Sequence, residues 1–289
     1  MIRNKILGVG NATLDIVNLV ADYPMEDQEV RALKQYVRPG GNVLNQLSVI
    51  RQFQLEADWA GTLADDSDSH ILTKFLSTRS IGFDSAMRIV QSRTPVSYIT
   101  VNRKNGSRTI VHYRDIPEYT FESFRKLDLA QYKLIQFEAR NVAEQEQMMV
   151  YARQLNPDLV ISVEVEKARE GVEQLSRHAD IIFVSSHFAQ QTGLTNISDL
   201  CQRLVAGRKS QTLVYTRGEL GAEIYRQGEI LNLPAYKPRQ LVDTIGAGDA
   251  FIGAFLGHFV AHHDAAAAGT YAVQISGKKC GQEGLDNLI

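Results

Sequence analysis

The sequence predicts an α/β fold in which a parallel sheet with crossover helices carries a second, small β-sheet. From about residue 130 onward, short apolar runs alternate with stretches of helical periodicity. This alternation is typical of a parallel sheet whose strands are joined by helices. Earlier in the chain, two separate segments contain short β-tolerant runs. We expect these two segments to pair with each other as the small sheet.

Apolar runs predict the strands of the main sheet at residues 5–9, 133–137, 159–165, 180–184 and 212–216. Helices are predicted between them, including residues 143–155 and 197–207. A further helix is predicted at residues 43–53, because Val43, Leu47 and Ile50 follow helical spacing. The chain break that begins at Pro39 precedes this helix, and Asn42 is its predicted N-cap.

The small sheet is predicted from residues 12–38 and 92–116, with short strands at 14–22, 29–37, 96–101 and 108–113. The last two runs flank Asn105-Gly106, a strong hairpin signal because both residues tolerate positive φ. The rest of the chain, residues 1–11, 39–91 and 117–289, is the predicted large α/β domain. A small sheet beside a larger body is expected to act as a lid over a cleft.

The composition argues against several functions. The 289 residues carry 31 Lys and Arg against 33 Asp and Glu, with no basic block, which argues against a nucleic-acid partner. Cys201 and Cys280 stand far apart and outside any CxxC pair, so neither a disulfide framework nor a metal cluster is expected. The first apolar run is too short for a signal or a membrane span. We therefore expect a cytoplasmic protein with no membrane partner.

The string DTIGAGDAF at residues 243–251 indicates the chemistry. Gly246 and Gly248 flank Ala247 and allow the backbone to approach a ligand closely. The apolar helix that follows offers free N–H groups at its start, which suit a phosphate or a developing oxyanion. Asp249 is placed to accept a proton from an attacking hydroxyl. Together these features favour phosphoryl transfer.

Other ligand-binding signatures are missing or incomplete. The chain contains no GxxxxGK[ST] string, which argues against a P-loop kinase. After the first strand it reads Gly8-x-Gly10-x-x-Thr13, which lacks the third glycine of a dinucleotide-binding fingerprint. The run HHD at residues 262–264 is interpreted as a helix end, because adjacent histidines point apart on a helix.

The DTxGAGDxF pattern resembles the C-terminal signature of the ribokinase-like (PfkB) carbohydrate kinase family, and GGNVLN at residues 40–45 resembles its N-terminal motif. The resemblance implies a ribokinase-like α/β/α domain that uses ATP and Mg²⁺. It implies that Asp249 is the catalytic base. It also implies that an anion is bound by Gly246, Ala247 and Gly248. The residues implied to bind the sugar are Asp15, Gly41, Asn42 and Asn45.

Further strings resemble one branch of that family along nearly the whole chain, among them NGSRTIV at residues 105–111 and GKKCG at 277–281. Members of this branch phosphorylate ketohexoses such as fructose and form homodimers in which the two lids clasp each other. The resemblance implies a sugar contact from Asp27 in the neighbouring subunit's site. Glu138 lies at a strand end, where α/β sheets bind ligands, and it either contacts the sugar or forms a structural pair with Arg140. It implies nucleotide contacts from Arg108, Thr216, Gly218, Gly221 and Cys280.

The metal ligands are not specified by the sequence. Many family members carry Asn-x-x-Glu near the magnesium, whereas this chain reads SSHF at residues 185–188. Glu164 and Glu166 alternate along one strand and face the same side, where they either help to bind Mg²⁺ through water or have a structural role. The resemblance also makes K⁺ a candidate ligand near Asp243.

Three functions stay open. The first is phosphorylation of a ketohexose such as fructose. The second is another ribokinase-like kinase, acting on ribose, a nucleoside or a keto-deoxy sugar acid, the last of which requires an extra cation in the pocket. The third is a non-catalytic sugar or nucleotide sensor, which predicts a damaged catalytic aspartate or anion-binding string. Both are intact in this sequence.

Overall fold

The structure is a computed structural model that describes residues 5–206 and 210–289. Its strands are, in chain order, β1 (Lys5–Val9), β2 (Thr13–Val20), β3 (Lys34–Gly40), β4 (Glu56–Ala60), β5 (Thr62–Ala64), β6 (Ile81–Gly82), β7 (Met87–Ile89), β8 (Val96–Asn102), β9 (Arg108–Tyr113), β10 (Tyr132–Glu138), β11 (Val160–Val165), β12 (Ile181–Ser185), β13 (Thr212–Thr216), β14 (Ala222–Arg226) and β15 (Glu229–Leu233). Its α-helices are α1 (Asn42–Ile50), α2 (Ser69–Thr78), α3 (Phe121–Phe124), α4 (Val142–Leu155), α5 (Val172–Ser176), α6 (Ser186–Thr192), α7 (Ile197–Leu204), α8 (Ala247–His262) and α9 (Ala265–Cys280).

The main sheet has the strand order β15-β14-β13-β12-β11-β10-β1-β4-β6 over the described residues. Neighbouring strands from β13 to β6 are parallel, and β14 and β15 run antiparallel at one edge. The five strands predicted for this sheet are confirmed to within one residue at either end. Since β10 to β13 are parallel, their carboxyl ends lie along the same edge, where α/β sheets bind ligands.

Helices cover both faces of the main sheet, which gives the predicted α/β/α layers. Adjacent residues of β1 demonstrate the alternation. Ile6 belongs to a core with Leu44 of α1 and Phe255 of α8, whereas Leu7 belongs to a second core with Met148 of α4. Successive side chains of a strand reach opposite faces, and both faces are covered here, so the strands are continuous apolar runs in the sequence.

The small sheet has the strand order β3-β2-β8-β9. β8 and β9 form the predicted hairpin, and Gly106 in its loop has φ +70° and donates its N–H to the Asn102 carbonyl at 2.8 Å. Asn105 is not among the residues with positive φ; its side chain accepts the Ser107 N–H at 3.0 Å. The local turn is therefore held by one glycine and one asparagine side chain.

Three predictions near residue 40 are wrong. Strand β3 begins at Lys34, so residues 29–33 are not part of it, and it continues through Pro39 instead of breaking there. Proline is tolerated because β3 is an edge strand. At an edge, the N–H that proline lacks is not needed for a hydrogen bond to a further strand. The N-cap of α1 is Gly41, and Asn42 is the first helical residue.

The helix ends follow the prediction in part. The interpretation of residues 262–264 is confirmed, because α8 ends at His262, His263 follows with φ +55°, and the Asp264 side chain caps α9. Helix α1 ends at Ile50, and residues 51–53 form a 3₁₀ turn. The helix predicted at 197–207 ends at Leu204, and residue 207 lies outside the described part. None of the helices in residues 5–206 and 210–289 has the length and apolar character needed to cross a membrane.

Candidate active site

A cavity of about 1200 Å³ lies between the small sheet and the carboxyl ends of the central strands. Its walls include Glu138 at the end of β10, Glu164 near the end of β11 and Thr216 at the end of β13. The opposite wall includes Ser97 of β8 and His112 of β9, which are cross-strand neighbours on one face of the small sheet. The fold thus forms a cleft with the small sheet on one side, as a lid requires.

The start of α1 brings the predicted asparagines to the cavity. Gly41 precedes the helix with φ +111°, and a Cβ there would lie 2.2 Å from the Asn11 carbonyl oxygen. Only glycine fits this close backbone approach. Asn42 and Asn45 then line the cavity from the first turn of the helix.

Asp249 lies in the first turn of α8, beside α1. The Asn45 side-chain amide donates a hydrogen bond to Asp249 Oδ2 at 2.7 Å. Burial raises the pKa of Asp249 to about 7, and the negative charges of Glu166, Glu138 and Asp15 act in the same direction, against the lowering effect of the Asn45 hydrogen bond. A carboxyl group with this pKa can gain and lose a proton near neutral pH, as a general base must.

A close packing of α1 against α8 makes the Asn45–Asp249 contact possible. Gly253 lies one turn after Asp249, and a Cβ at this position would lie 2.6 Å from the Gln46 carbonyl oxygen and 2.8 Å from Val49 Cβ. The absence of a side chain at Gly253 lets the two helices approach at this point. The sequence pattern of α8 predicted its apolar character but not this approach.

Replacing Asn45 by alanine is expected to move the acid limb of the rate–pH profile to higher pH. The hydrogen bond from Asn45 lowers the pKa of Asp249, so its loss raises that pKa above about 7 and keeps the base protonated at higher pH. The measurement is kcat against pH at saturating substrates. Ser48→Ala, on the same helix, is the control, since Ser48 bonds the Asn45 carbonyl and not Asp249. An unmoved limb in Asn45→Ala would contradict this assignment.

A second buried carboxylate joins α1 to the main sheet. Glu164 accepts hydrogen bonds from the side chains of Asn42 at 3.2 Å and Gln46 at 2.7 Å. Burial and the nearby charge of Asp249 raise the pKa of Glu164 well above its ordinary value. Glu164 therefore holds α1 against the main sheet. Gln46 was not predicted, because nothing local distinguishes it from other polar helix residues.

Glu138 lies in the cavity wall with both carboxylate oxygens engaged by the protein. One oxygen accepts the Asn11 backbone N–H at 3.0 Å, and the other accepts Arg140 Nε at 2.6 Å. Asn11 also lines the cavity, and its buried Nδ2 has no hydrogen-bond partner in the described part of the chain. Asn11 is therefore a candidate ligand-binding residue that no motif revealed.

Asp15 lies on the cavity-facing side of β2. Its Oδ1 accepts the Thr13 hydroxyl at 3.2 Å. Burial raises the pKa of Asp15, although the positive charge of Arg38 opposes this rise. Asp15 lines the same cavity as Asn42 and Asn45, and its role in holding a hydroxylated ligand stays a prediction.

The anion loop (residues 244–248) leads into α8. Gly246 adopts φ +83°, and the Asp243 side chain accepts the Ile245 N–H at 2.9 Å. The first N–H groups of an α-helix have no intrahelical acceptor, so the start of α8 can bind an anion. A Cβ on Gly248 would meet no atom within 4 Å, which leaves open space above this part of the loop.

The predicted nucleotide residues line the same cavity. Gly221 has φ +90°, and a Cβ there would lie 2.0 Å from the Leu233 carbonyl oxygen, so the turn requires glycine. Burial raises the pKa of the Cys280 thiol, which fits packing rather than reaction. Arg108 extends the lid side of the wall. The lining residues from this predicted set are Arg108, Thr216, Gly218, Gly221 and Cys280.

One predicted site residue lies elsewhere. Asp27 is exposed in the loop between β2 and β3 and is not part of the cavity wall. Within a single chain it therefore cannot contact a ligand in the cavity. Conversely, the cavity is also lined by four cationic residues that were not predicted from the sequence: Arg140, Lys167, Arg169 and Lys237.

The metal-binding potential of the cavity is small without a nucleotide. Among the described residues, no group of three or more His, Cys, Asp or Glu side chains is arranged to hold a metal ion. Glu166 lines the cavity, and no described side chain donates to its carboxylate. This set fits Mg²⁺ bound mainly through phosphates, since Mg²⁺ keeps several waters and needs only one or two carboxylates.

Comparisons with known proteins show the family of this chain. A protein-family model described as pfkB family carbohydrate kinase matches residues 3–289. The ketohexokinase of Mus musculus is 34% identical over 298 aligned residues, covering 100% of both chains. Probable fructokinase-5 of Arabidopsis thaliana is 27% identical over 239 residues, covering 75% of this chain and 72% of its own. The solved structure of ribokinase from Giardia lamblia has a TM-score of 0.86 at 18% identity, covering 99% of this chain and 96% of that one.

The family match and the full-length similarity to a ketohexokinase identify a kinase that transfers phosphate from ATP to a carbohydrate. The chain belongs to the pfkB family of carbohydrate kinases, and the resemblance drawn from its two motifs is confirmed.

Proposed function

We propose that this kinase phosphorylates a hydroxyl of a ketohexose such as fructose, with Asp249 as the general base. The observation that carries the proposal is the position of Asp249 between the α1 asparagines and the anion loop, with a pKa raised to about 7. The relatives named ketohexokinase and fructokinase support the choice of a ketohexose.

The sugar-binding side of the proposed site combines donors and acceptors. Carboxamides and backbone groups can do both, as sugar hydroxyls require. We assign the sugar to the part of the cavity lined by Asp15, Gly41, Asn42, Asn45 and Glu138, with the unpaired Nδ2 of Asn11 as a further donor. Binding there would leave the reacting hydroxyl beside Asp249.

The proton and the phosphoryl group move in opposite directions in the proposed reaction. The sugar O–H gives its proton to Asp249 Oδ1, the oxygen that has no donor among the described residues. The sugar oxygen bonds to the γ-phosphorus as the bond to the ADP oxygen breaks, and the N–H group of Gly248 stabilises the charge, since the Ala247 N–H donates to the Thr244 carbonyl at 3.2 Å.

The nucleotide lies along the other part of the cavity in this proposal. Thr216, Gly218, Gly221 and Cys280 line its binding wall, and Arg108 contacts the phosphates from the lid. Arginine suits that contact because its planar fork can bond two phosphate oxygens. Mg²⁺, which would be held by the phosphates and by Glu166 through water, neutralises phosphate charge when bound.

A substrate panel tests the sugar assignment. Purified protein is assayed for ADP formation with ATP and Mg²⁺ against fructose, tagatose, ribose, adenosine and 2-keto-3-deoxygluconate. We expect the highest kcat/KM with fructose, because the proposed sugar-binding wall matches a neutral polyol. A higher value with ribose or adenosine would contradict the ketohexose assignment but leave the base in place.

A sugar acid is the second candidate, favoured by the cations in the cavity wall. Arg140 donates a hydrogen bond to the Glu138 carboxylate at 2.6 Å, and Arg169 donates one to the Ala139 carbonyl at 2.7 Å. Lys167 is exposed and has no described ion-pair partner. Preference for 2-keto-3-deoxygluconate in the same panel would assign Lys167 to a substrate carboxylate.

We also propose a homodimer formed through the small sheet. The face that points away from the cavity carries a row of paired apolar residues, and Val37, Tyr98 and Val111 are 49%, 50% and 66% exposed. A second copy covering this row would bring its lid loop, with Asp27, towards the cavity. A monomer mass by sedimentation velocity at micromolar concentration would contradict this proposal.

The free thiols of Cys201 and Cys280 support a cytoplasmic location.

A further inference from the structure

A fully buried lysine lies behind the anion loop. Lys279, in the last turn of α9, has a side chain with 0% exposure. Lysine is almost never fully buried unless its charge is compensated. Its Nζ donates to the Asp243 carbonyl at 2.7 Å, to Asp243 Oδ2 at 2.8 Å and to the Gln282 carbonyl at 3.3 Å. An ammonium group has three donors, and all three have partners here.

These bonds join the two chain segments that surround the anion loop. Asp243 immediately precedes the loop, and its other carboxylate oxygen accepts the Ile245 N–H at 2.9 Å. Gln282 belongs to the turn after α9, which also leads back to the loop, because the Val242 N–H donates to the Cys280 carbonyl at 2.8 Å. Lys279 thus holds Asp243, which precedes the anion loop, to the turn that follows α9.

The charge of Asp243 is set by the same contacts. Burial alone would raise the pKa of Asp243, but the hydrogen bond from Lys279, the Ile245 N–H and the lysine charge outweigh it and lower that pKa. Arg38 of β3 adds a weaker contact, with Nη1 3.4 Å from Asp243 Oδ2. The carboxylate therefore stays ionised and holds the loop through Oδ1 while its Oδ2 and carbonyl bind the ammonium.

We propose that the Lys279 ammonium is a built-in cation that positions the anion loop, so that the kinase neither binds nor needs K⁺ at Asp243. The proposal rests on the assigned role of the anion loop in phosphoryl transfer. The resemblance to the family made K⁺ a candidate ligand near Asp243. In this chain the two Asp243 oxygens that could bind such an ion are both bound to Lys279 Nζ.

The alkali-ion dependence of the unchanged protein is the first test. Turnover and melting temperature are measured in a tetramethylammonium buffer with increasing K⁺, and with Na⁺ at equal ionic strength. We expect neither quantity to respond specifically to K⁺, because the site is filled. A saturable rise of either with K⁺ would overturn the proposal. The melting temperature reports ion binding even if the sugar assignment fails, since a ligand that binds the folded state stabilises it.

Two substitutions of Lys279 provide the second test. Lys279→Ala removes the ammonium and leaves space, whereas Lys279→Met removes it and fills the space. In both, kcat is expected to fall by about a hundredfold, the order of loss seen when one charge-stabilising donor is removed. K⁺ or NH₄⁺ should restore turnover and raise the melting temperature of Lys279→Ala and not of Lys279→Met.

Lys278→Ala is the matched control. Lys278 is the preceding residue, is exposed, and donates to the Leu288 carbonyl at 2.9 Å, away from the anion loop. Its loss removes the same charge without affecting Asp243, so kcat should not change. A Lys279→Ala protein with unchanged kcat, or one that loses turnover and does not respond to either ion, would overturn the proposal. If neither Lys279 variant folds, the K⁺ response of the unchanged protein still decides it.

Discussion

Asp249→Asn is expected to lower kcat about a thousandfold, the order of rate that a positioned general base supplies. The asparagine keeps the shape of the side chain and an oxygen that can accept the Asn45 hydrogen bond, so the surrounding geometry is retained. It cannot accept the sugar proton. Sugar and nucleotide affinities should change little, which isothermal titration would measure directly.

The same substitution should stabilise the fold above neutral pH. The pKa of Asp249 rises from the ordinary 3.8 to about 7 in the folded state, so its ionisation costs stability progressively as the pH increases between these values. Asp249→Asn removes that cost and should melt at a higher temperature than the unchanged protein at about pH 8. The difference should disappear below the ordinary pKa of 3.8, where both side chains are uncharged in either state.

Asp264→Asn is the control for Asp249→Asn. Asp264 caps α9 outside the cavity wall, and asparagine caps helices equally well. Its kcat should match that of the unchanged protein. Substantial turnover in Asp249→Asn with normal turnover in the control would remove Asp249 from the role of base.

Gly41→Ala is expected to destabilise the protein by about 3 kcal/mol, through left-handed backbone strain and overpacking together. The φ of +111° is unfavourable for alanine, and its Cβ would lie 2.2 Å from the Asn11 carbonyl oxygen. That neighbour is backbone and cannot rotate away. The start of α1 must therefore shift, which displaces Asn42 and Asn45 and raises KM for the sugar. Chemical denaturation and sugar titration measure the two effects.

Gly193→Ala separates strain from overpacking. Gly193 has φ +76° at the end of α6, and a Cβ there would meet nothing within 4 Å. It should cost only the left-handed backbone term of about 1 kcal/mol and leave KM unchanged. Equal losses of stability in the two variants would mean that the approach of Gly41 to Asn11 is not tight.

The parts of the fold that depend on residues close together in the sequence were predictable. Buried parallel strands are continuous apolar runs, so β10 to β13 could be predicted nearly to the residue. The anion loop and the glycine pair at residues 40–41 could also be predicted, because their conformations need particular residues in sequence. The bounds of strand β3 were not, since its tolerance of Pro39 depends on its place at a sheet edge.

The contacts that tune the site could not be predicted in this way. Asn45 and Asp249 are 204 positions apart, and Gln46 and Glu164 are 118 apart. Their meeting depends on how α1 packs on α8 and β11, which no local pattern encodes. Lys279 has the sequence character of a surface lysine at a helix end, where a positive charge is common. Its burial becomes evident only when α9 packs behind the anion loop.

Phosphorus NMR of one reaction tests the central claim most directly. The protein is incubated with fructose, ATP and Mg²⁺, and the phosphorus signals are followed with time. Transfer to the sugar predicts that the γ-phosphate signal of ATP decreases while a phosphomonoester signal coupled to sugar protons increases in equal amount. Loss of ATP with growth of inorganic phosphate alone, or no loss of ATP at all, would contradict the assignment of this cavity to phosphorylation of a ketohexose.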